Sequence, residues 1–182
     1  MLDMIVSRVI TLLQERESRS LRVTQAELAA GLSKTVYLHN AQLILPLPDL
    51  AFIQSLVAYD HHHPAVATVL EAWAYGVRLH LQIHQQLLTA LPLRELRRLP
   101  VTLTDHLSTP VQLATAAGLS YASVIHWRDC WVLLEKQTLI TALAREVMER
   151  QNIKLIWQEE RNATGESRRV SGVDAKICIP DR

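Results

Sequence analysis

The first 14 residues place apolar side chains at the interval of a single helix face. Apolar positions recur three and four residues apart, as on the apolar stripe of an amphipathic helix, whereas Arg8 and Thr11 lie on the opposite face. The following stretch from Glu15 to Arg22 is charged and aperiodic, which predicts a linker that lets the helix hinge off the body. The helix is predicted from Leu2 to about Gln14, with apolar residues Leu2, Ile5, Val6, Val9, Ile10, Leu12 and Leu13.

Capping residues and strand-forming residues mark the elements of the next segment. Thr24, followed three residues later by Glu27, predicts a capping box at the start of a short helix. Residues 35–45 are rich in strand formers and predict a strand. Two helices are then expected, one from about 49 to 58 and one from about 64 to 75.

In the middle of the chain the hydrophobic period changes from that of a helix to that of a strand. From Val77 to Ile83 apolar residues alternate with polar ones, which predicts a strand with one apolar and one polar face. Helical spacing returns over residues 85–99, where Pro92 interrupts it. Residues 101–104 and 111–114 are then expected to form a hairpin.

The segment from residue 131 to 157 carries the clearest indication of the fold class. A strand from Trp131 to Glu135, a helix capped by Thr141 and a strand from Ile153 to Trp157 make a βαβ unit, for which a parallel right-handed crossover is the default. We therefore predict an α/β fold, with a small mixed sheet, flanking helices, an N-terminal amphipathic helix and a flexible C-terminal tail. The expected organisation is a docking helix over 1–17, a linker and short helix over 18–34, an α/β domain over 35–158 and a polar tail over 159–182.

Charge and composition exclude several classes of protein. The 182 residues carry 19 Lys and Arg against 18 Asp and Glu, so the net charge of +1 creates no field that would attract nucleic acid or an anionic membrane. The 4 Trp, 4 Tyr and 1 Phe are too scattered for the stacking platforms of proteins that bind single-stranded nucleic acid. The 5 glycines stand too far apart for a phosphate-binding loop. The 2 cysteines, without a CxxC motif, indicate the reduced thiols of a cytoplasmic protein, and no apolar run is long enough to span a membrane.

The histidines give no specific indication of a metal site. His61, His62 and His63 lie directly before Pro64, where they are more typical of a solvated, helix-capping loop than of metal ligands. His80 and His84 fall on the predicted strand, where their spacing of four residues separates them by about 13 Å. This distance is too long for the two side chains to share one ion.

Nucleophilic and anion-binding groups are equally unspecific. The chain has no GxSxG motif, and Cys130 lies next to Asp129, which is not the electropositive setting that activates a thiolate. Arg94, Arg97 and Arg98 share one helix face, for which solvation by water is a simpler interpretation than binding of a phosphate or of a partner's acidic patch. The sequence therefore predicts no catalytic residue, no cofactor-binding residue, no metal ligand and no cofactor.

Three stretches of the chain resemble a known family. They are Glu71–His84 (EAWAYGVRLHLQIH), Leu87–Asp105 (LLTALPLRELRRLPVTLTD) and Leu139–Glu146 (LITALARE), the last followed by Asn152-Ile153. On these motifs the residues from about Thr35 to Glu160 resemble the PduM family, accessory proteins of the propanediol-utilisation type of bacterial microcompartment. The resemblance implies a cytosolic bacterial protein that belongs with the shell or lumen of the organelle and is needed for its assembly or function. The family has no established catalytic activity, so the resemblance carries over no functional residue.

This resemblance changes the interpretation of the N-terminal helix. Taken alone, an amphipathic helix most often packs on its own domain. In a microcompartment protein it is similar to the short encapsulation helices by which cargo attaches to shell proteins or to other cargo. We therefore expect a non-enzymatic structural or assembly component of a cytoplasmic bacterial microcompartment that links shell and cargo. Its helix is expected to bind shell or cargo proteins through Leu2, Ile5, Val6, Val9 and Leu13.

An alternative function belongs to a different class. The chain would then be a catalytic or cofactor-binding α/β protein of the same organelle, because such folds hold flavins, nucleotides or cobalamin-related cofactors at strand ends. The scarcity of glycine argues against this alternative. An absorbance spectrum and a metal analysis of the purified protein discriminate between the two functions. Neither function predicts a nucleic-acid or membrane partner, and the oligomeric state stays open.

Overall fold

The computed structural model describes residues 2–158, in which parallel sheets are flanked by helices. Its first half contains α1 (Leu2–Glu17), β1 (Ser20–Arg22), α2 (Gln25–Ala30), α3 (Lys34–His39), β2 (Gln42–Pro46), α4 (Leu50–Val57), α5 (Pro64–Ala74), β3 (Arg78–Ile83), a 3₁₀ helix (Gln85–Ala90), α6 (Leu93–Leu96) and β4 (Val101–Asp105). The second half contains β5 (Val111–Ala114), β6 (Gly118–Leu119), α7 (Tyr121–Val124), β7 (Trp131–Leu134), β8 (Leu139–Ile140), α8 (Ala142–Arg150) and β9 (Lys154–Trp157). The predicted tail over 159–182 lies outside the described residues.

The first sheet carries the larger core. Within residues 2–158 it has four strands in the order β1-β2-β3-β4, and each pair is parallel. The alternation predicted for β3 is confirmed, because Leu79, Leu81 and Ile83 are buried and the residues between them are half-buried. On the polar face the ring of His80 lies between the hydroxyl groups of Thr102 and Thr104, at 2.8 and 3.0 Å. The sheet therefore has one face packed against helices and one polar face.

The second sheet contains the predicted βαβ unit. Within the described range it has the order β5-β7-β9, again with parallel pairs, and α8 connects β7 to β9. Thr141 caps α8 by accepting a hydrogen bond from the backbone N–H of Ala144 at 3.3 Å, and Asn152 turns the chain with a left-handed φ of 54°. Strand β7 is buried on both sides, since Leu133 belongs to the core of the first sheet and Val132 to a second core under α8. The α/β fold class and the βαβ unit are both confirmed.

Several helix boundaries also follow the sequence. Thr24 and Glu27 form the predicted capping box, in which the Glu27 carboxylate accepts from the backbone N–H of Thr24 at 2.7 Å. Asp49 caps α4 by accepting from the N–H of Phe52 at 2.6 Å. After α5 the chain turns directly into β3 at Gly76, whose φ of 71° favours glycine.

The predictions for residues 15–22 and 35–45 are wrong in part. Helix α1 continues to Glu17, and Ser20–Arg22 pair with β2 as an edge strand where a flexible linker was predicted. A three-residue strand is too short to show an alternating pattern, so its charged residues suggest a linker. Lys34–His39 form a helix where a strand was predicted, because burial of the Tyr37 side chain, which is 0% exposed, overrides the strand preference of the segment.

The predicted hairpin between residues 101–104 and 111–114 is also wrong. Strands β4 and β5 belong to different sheets, and their segments share a single antiparallel bridge between Thr104 and Pro110. Pro110 has no N–H group with which to continue a ladder. Its carbonyl group instead accepts from the N–H of Trp131 at 2.9 Å, which directs the chain into the second sheet.

The Asp105 carboxylate joins the two sheets. It lies at the end of β4, is 2% exposed, and accepts from the N–H groups of Leu107 and Thr109 at 2.8 and 2.7 Å. Its other oxygen accepts from the indole N–H of Trp131, the first residue of β7, at 2.9 Å. Burial alone would raise the pKa of Asp105, but the hydrogen bonds from Thr109, Trp131 and Leu107 together hold this pKa below its ordinary value of 3.8.

Replacing Asp105 with Ala should therefore destabilise the whole fold. The substitution leaves three donors without their acceptor, and we expect the free energy of unfolding in urea to fall by about 3 kcal/mol. Trp131→Phe removes only one of these donors and should cost about 1 kcal/mol. Equal losses in the two variants would contradict this assignment of the carboxylate.

The lowered pKa of Asp105 also predicts a dependence of stability on pH. The contribution of the ionised carboxylate is complete above its ordinary pKa of 3.8 and is lost as the pH falls through the lower pKa of the folded state. In Asp105→Asn this group no longer titrates. Urea unfolding measured from pH 6 to pH 2 should therefore show a smaller loss of stability in Asp105→Asn than in the wild type. Parallel curves would mean that other groups cause the acid sensitivity.

Candidate functional site

The sequence predicts that helix α1 binds a partner, and in the structure this helix exposes its apolar side chains. Its 16 residues extend over about 24 Å. The exposed fraction lies between 46% and 60% for Ile5, Val6, Val9, Ile10, Leu12 and Leu13. Contiguous aliphatic side chains at such exposure mark an interaction surface more often than a solvated face. We call this surface, formed by Ile5, Val6, Val9, Ile10, Leu12 and Leu13, the α1 apolar face.

Arg16 fixes the C-terminal end of α1 to the body. Its guanidinium group donates to the carbonyl oxygens of Tyr75 at 2.7 Å and Asn40 at 3.4 Å. Asn40 and Tyr75 are the C-caps of α3 and α5, so the cation binds where both helices present unpaired carbonyl groups and the negative ends of their dipoles. A backbone hydrogen bond also attaches the segment after α1 to the body, because the carbonyl oxygen of Arg19 accepts from the N–H of Ala41 at 3.0 Å.

Two stacked tyrosines hold the acceptor for Arg16 in place. The rings of Tyr37 and Tyr75 lie 5.2 Å apart at an interplanar angle of 29°. The Tyr37 hydroxyl group donates to the Glu71 carboxylate at 3.3 Å, and burial together with the charge of Glu71 raises the pKa of Tyr37 to about 12. Tyr37 therefore stays neutral and packed, which orients the end of α5.

A cleft separates the C-terminal half of α1 from the body. Its volume is about 430 Å³. Ile10 and Leu13 line it on the helix side, and Ala41 and Gly76 line it on the body side. The ion pair between Glu17 and Arg78, at 3.9 Å, lies at the base of α1. An apolar side chain of a partner that packs on the α1 apolar face has room to enter this cleft.

The structure brings most of the predicted binding residues onto one exposed helix. Ile5, Val6, Val9 and Leu13 are exposed on α1, while Leu2 begins the helix and its side chain lies outside the described part. Their role in binding stays a prediction. The sequence interpretation missed Arg16 as the attachment point, although its position seven residues after Val9 places a charge on the apolar side of the helix. Ile10 and Leu12 widen the exposed apolar surface beyond the predicted stripe, whereas Met4 lies on the opposite side of the helix, seven residues before Thr11.

The histidine groups remain separate from α1. His61 and His62 lie in the turn before α5, and His63 is the N-cap residue of that helix, without a side-chain capping bond. His84 follows β3 and stacks on His106 at 4.7 Å between ring centroids. Within residues 2–158 the structure contains no group of three or more His, Cys, Asp or Glu side chains arranged to hold a metal ion. In the same part of the chain, no helix is both long and apolar enough to cross a membrane.

This chain is similar to known proteins over nearly the same residues that the structure describes. A family described as putative propanediol utilisation matches residues 4–154. The chain is 29% identical over 158 residues to the bacterial microcompartment assembly protein PduM of Salmonella typhimurium, covering 87% of this chain and 97% of that protein. It is 30% identical over 159 residues to the PduM protein of Citrobacter freundii, covering 87% and 98% of the two chains. No solved structure matches significantly.

The attachment of α1 through Arg16 can be tested by proteolysis. Arg16→Gln shortens the side chain and removes its charge, so the end of α1 should detach from α3 and α5. We expect a glutamate-specific protease to cleave after Glu15 and Glu17 several-fold faster than in the wild type. The control Arg8→Gln removes the same charge from an exposed position on the polar face and should leave the rate unchanged. Equal rates in the two variants would contradict the anchoring role of Arg16.

Proposed function

The chain belongs to the putative propanediol-utilisation family, which its match over residues 4–154 establishes, and we propose that it is an assembly component of a bacterial microcompartment. The curated relatives are named as microcompartment assembly proteins, and nearly their whole length aligns with this chain. The single structural observation that carries the proposal is the α1 apolar face, which is exposed along the helix and attached at one end. The partner is a shell or cargo protein of the same organelle, which also gives the location.

The physical argument is the cost of leaving the α1 apolar face in water. Burial of aliphatic side chains such as Ile5, Val9 and Leu13 against a partner groove would contribute on the order of several kcal/mol before the cost of association. Such a contribution supports weak binding of one copy, which many copies on one shell would strengthen by avidity. Because Arg16 holds the helix base, less conformational entropy is lost on binding than for a free peptide.

The proposed role requires no catalysis. The names of the relatives describe assembly, which supports a non-enzymatic function. In this proposal α1, within residues 1–17, docks on one component of the organelle, and the α/β domain over 35–158 presents a second surface. The connecting segment 18–34 contributes β1 and α2 to the body, and the polar tail over 159–182 follows. A protein with two separate surfaces links shell and cargo.

Charges placed on the α1 apolar face should abolish recruitment. Ile5→Glu combined with Val9→Glu adds two carboxylates whose desolvation opposes docking. A fluorescently tagged double variant should be diffuse in cells in which the tagged wild type co-localises with microcompartments. Its melting temperature should stay unchanged, since the two side chains are 60% and 47% exposed in the folded protein.

The matched control places the same charges on the polar face. Ser7→Glu combined with Thr11→Glu also adds two carboxylates four residues apart, at exposed positions of α1, and should co-localise like the wild type. A double variant at Ile5 and Val9 that melts many degrees lower would show that α1 belongs to the core. A folded double variant that still co-localises would show that another surface directs recruitment.

A further inference from the structure

The carboxyl edge of the second sheet gathers polar residues from three strands. Thr115 directly follows β5, Glu135 directly follows β7 and Gln158 directly follows β9. Because the strands are parallel, their carboxyl ends meet at one edge, which is where open α/β sheets bind ligands. The sequence alone does not reveal this convergence, since the residues lie far apart along the chain.

Arginines from the α6 segment cover this edge. Arg94 forms a two-pronged pair with Glu135, with its Nε and Nη2 atoms donating to the two carboxylate oxygens at 2.8 and 2.7 Å. Arg97 donates to the hydroxyl group of Thr115. Together with Arg98 these side chains line a cleft of about 470 Å³, which we call the arginine cleft. This volume is in the range of small-molecule sites.

The arginine cleft has an excess of positive charge. Glu135 is its single carboxylate among the lining residues that the structure describes, and the hydrogen bond from Arg94 lowers the pKa of Glu135, so this acid stays ionised at neutral pH. The charge of Arg94 is balanced by its ion pair with Glu135. Arg97 binds a neutral hydroxyl group, and in the described part of the chain Arg98 forms no ion pair. Two guanidinium groups therefore remain for an anion.

The surrounding structure holds the backbone of the α6 segment in place. Leu93 and Leu96 are 0% exposed, so the backbone that carries the arginines is anchored in the core. The side chain of Gln158 donates to the carbonyl oxygen of Leu91 at 2.6 Å, which ties the end of β9 to the segment before α6. The anchored backbone therefore presents Arg97 and Arg98 side by side, and guanidinium groups bind oxyanions through charge-assisted hydrogen bonds.

We propose that the arginine cleft binds a small organic phosphate. The phosphate oxygens accept from the guanidinium groups of Arg97 and Arg98 and from the hydroxyl group of Thr115, a donor set that suits a doubly charged oxyanion. The cleft is larger than a phosphate group, so the remaining space receives the organic part of the ligand. This proposal does not depend on docking through α1.

Calorimetric titration of the full-length protein with inorganic phosphate and with pyrophosphate tests the site. We expect saturable binding of both probes, tighter for pyrophosphate, and a higher melting temperature in its presence. Arg98→Gln should weaken binding at least about tenfold, because one charge-assisted contact is lost. The variant should fold normally, since Arg98 has no ion-pair partner in the described chain.

Arg128→Gln is the matched control, because it removes the same charge from an exposed position outside the arginine cleft. It should leave the affinity for pyrophosphate unchanged. Equal weakening in the two variants would reduce the effect to net charge and overturn the proposal. Absence of saturable binding of both probes would also overturn it, as would binding of a glutamate-rich peptide alone, which would assign the cleft to an acidic protein segment.

Discussion

The arrangement of the described chain depends on the buried carboxylate of Asp105. This group accepts hydrogen bonds from the turn after β4 and from Trp131 at the start of β7, so it fixes the second sheet relative to the first. The consequence extends to the opposite edge of the second sheet. Because α6 precedes β4 and its leucines are packed in the first core, fixing the two sheets also places Arg94 and Arg97 over Glu135 and Thr115.

The two candidate surfaces differ in how they are built. The α1 apolar face is local in sequence and exposed, and the body holds it at one point, where Arg16 binds carbonyl groups at the ends of α3 and α5. The arginine cleft is assembled from distant segments on a rigid framework. An exposed aliphatic helix suits a macromolecular partner, and a cluster of guanidinium groups suits a small anion. The two surfaces share no residue, so docking through α1 and anion binding at the arginine cleft are separate proposals.

The spacing of apolar and polar residues predicted the elements that have one apolar and one polar face. Local spacing in the sequence is sufficient to predict the alternation of β3, the cap of α8 and the apolar positions of α1. The short strand β1 and the helix α3 were not, because backbone pairing with β2 and burial of Tyr37 override local preference. The position of Arg16 on the apolar side of α1 was the one local indication of the point at which the helix is attached to the body. The arginine cleft depends on strand order, which no local pattern contains.

We propose that the α1 apolar face is open in the free protein and covered by a partner in the microcompartment. Hydrogen–deuterium exchange of the purified protein, alone and mixed with purified microcompartments, measures this directly. We expect amides from Met4 to Leu13 to exchange faster than those of β3 in the free protein and to become protected when microcompartments are added. Protection of α1 equal to that of β3 in the free protein, or unchanged exchange of α1 upon binding, would contradict the claim.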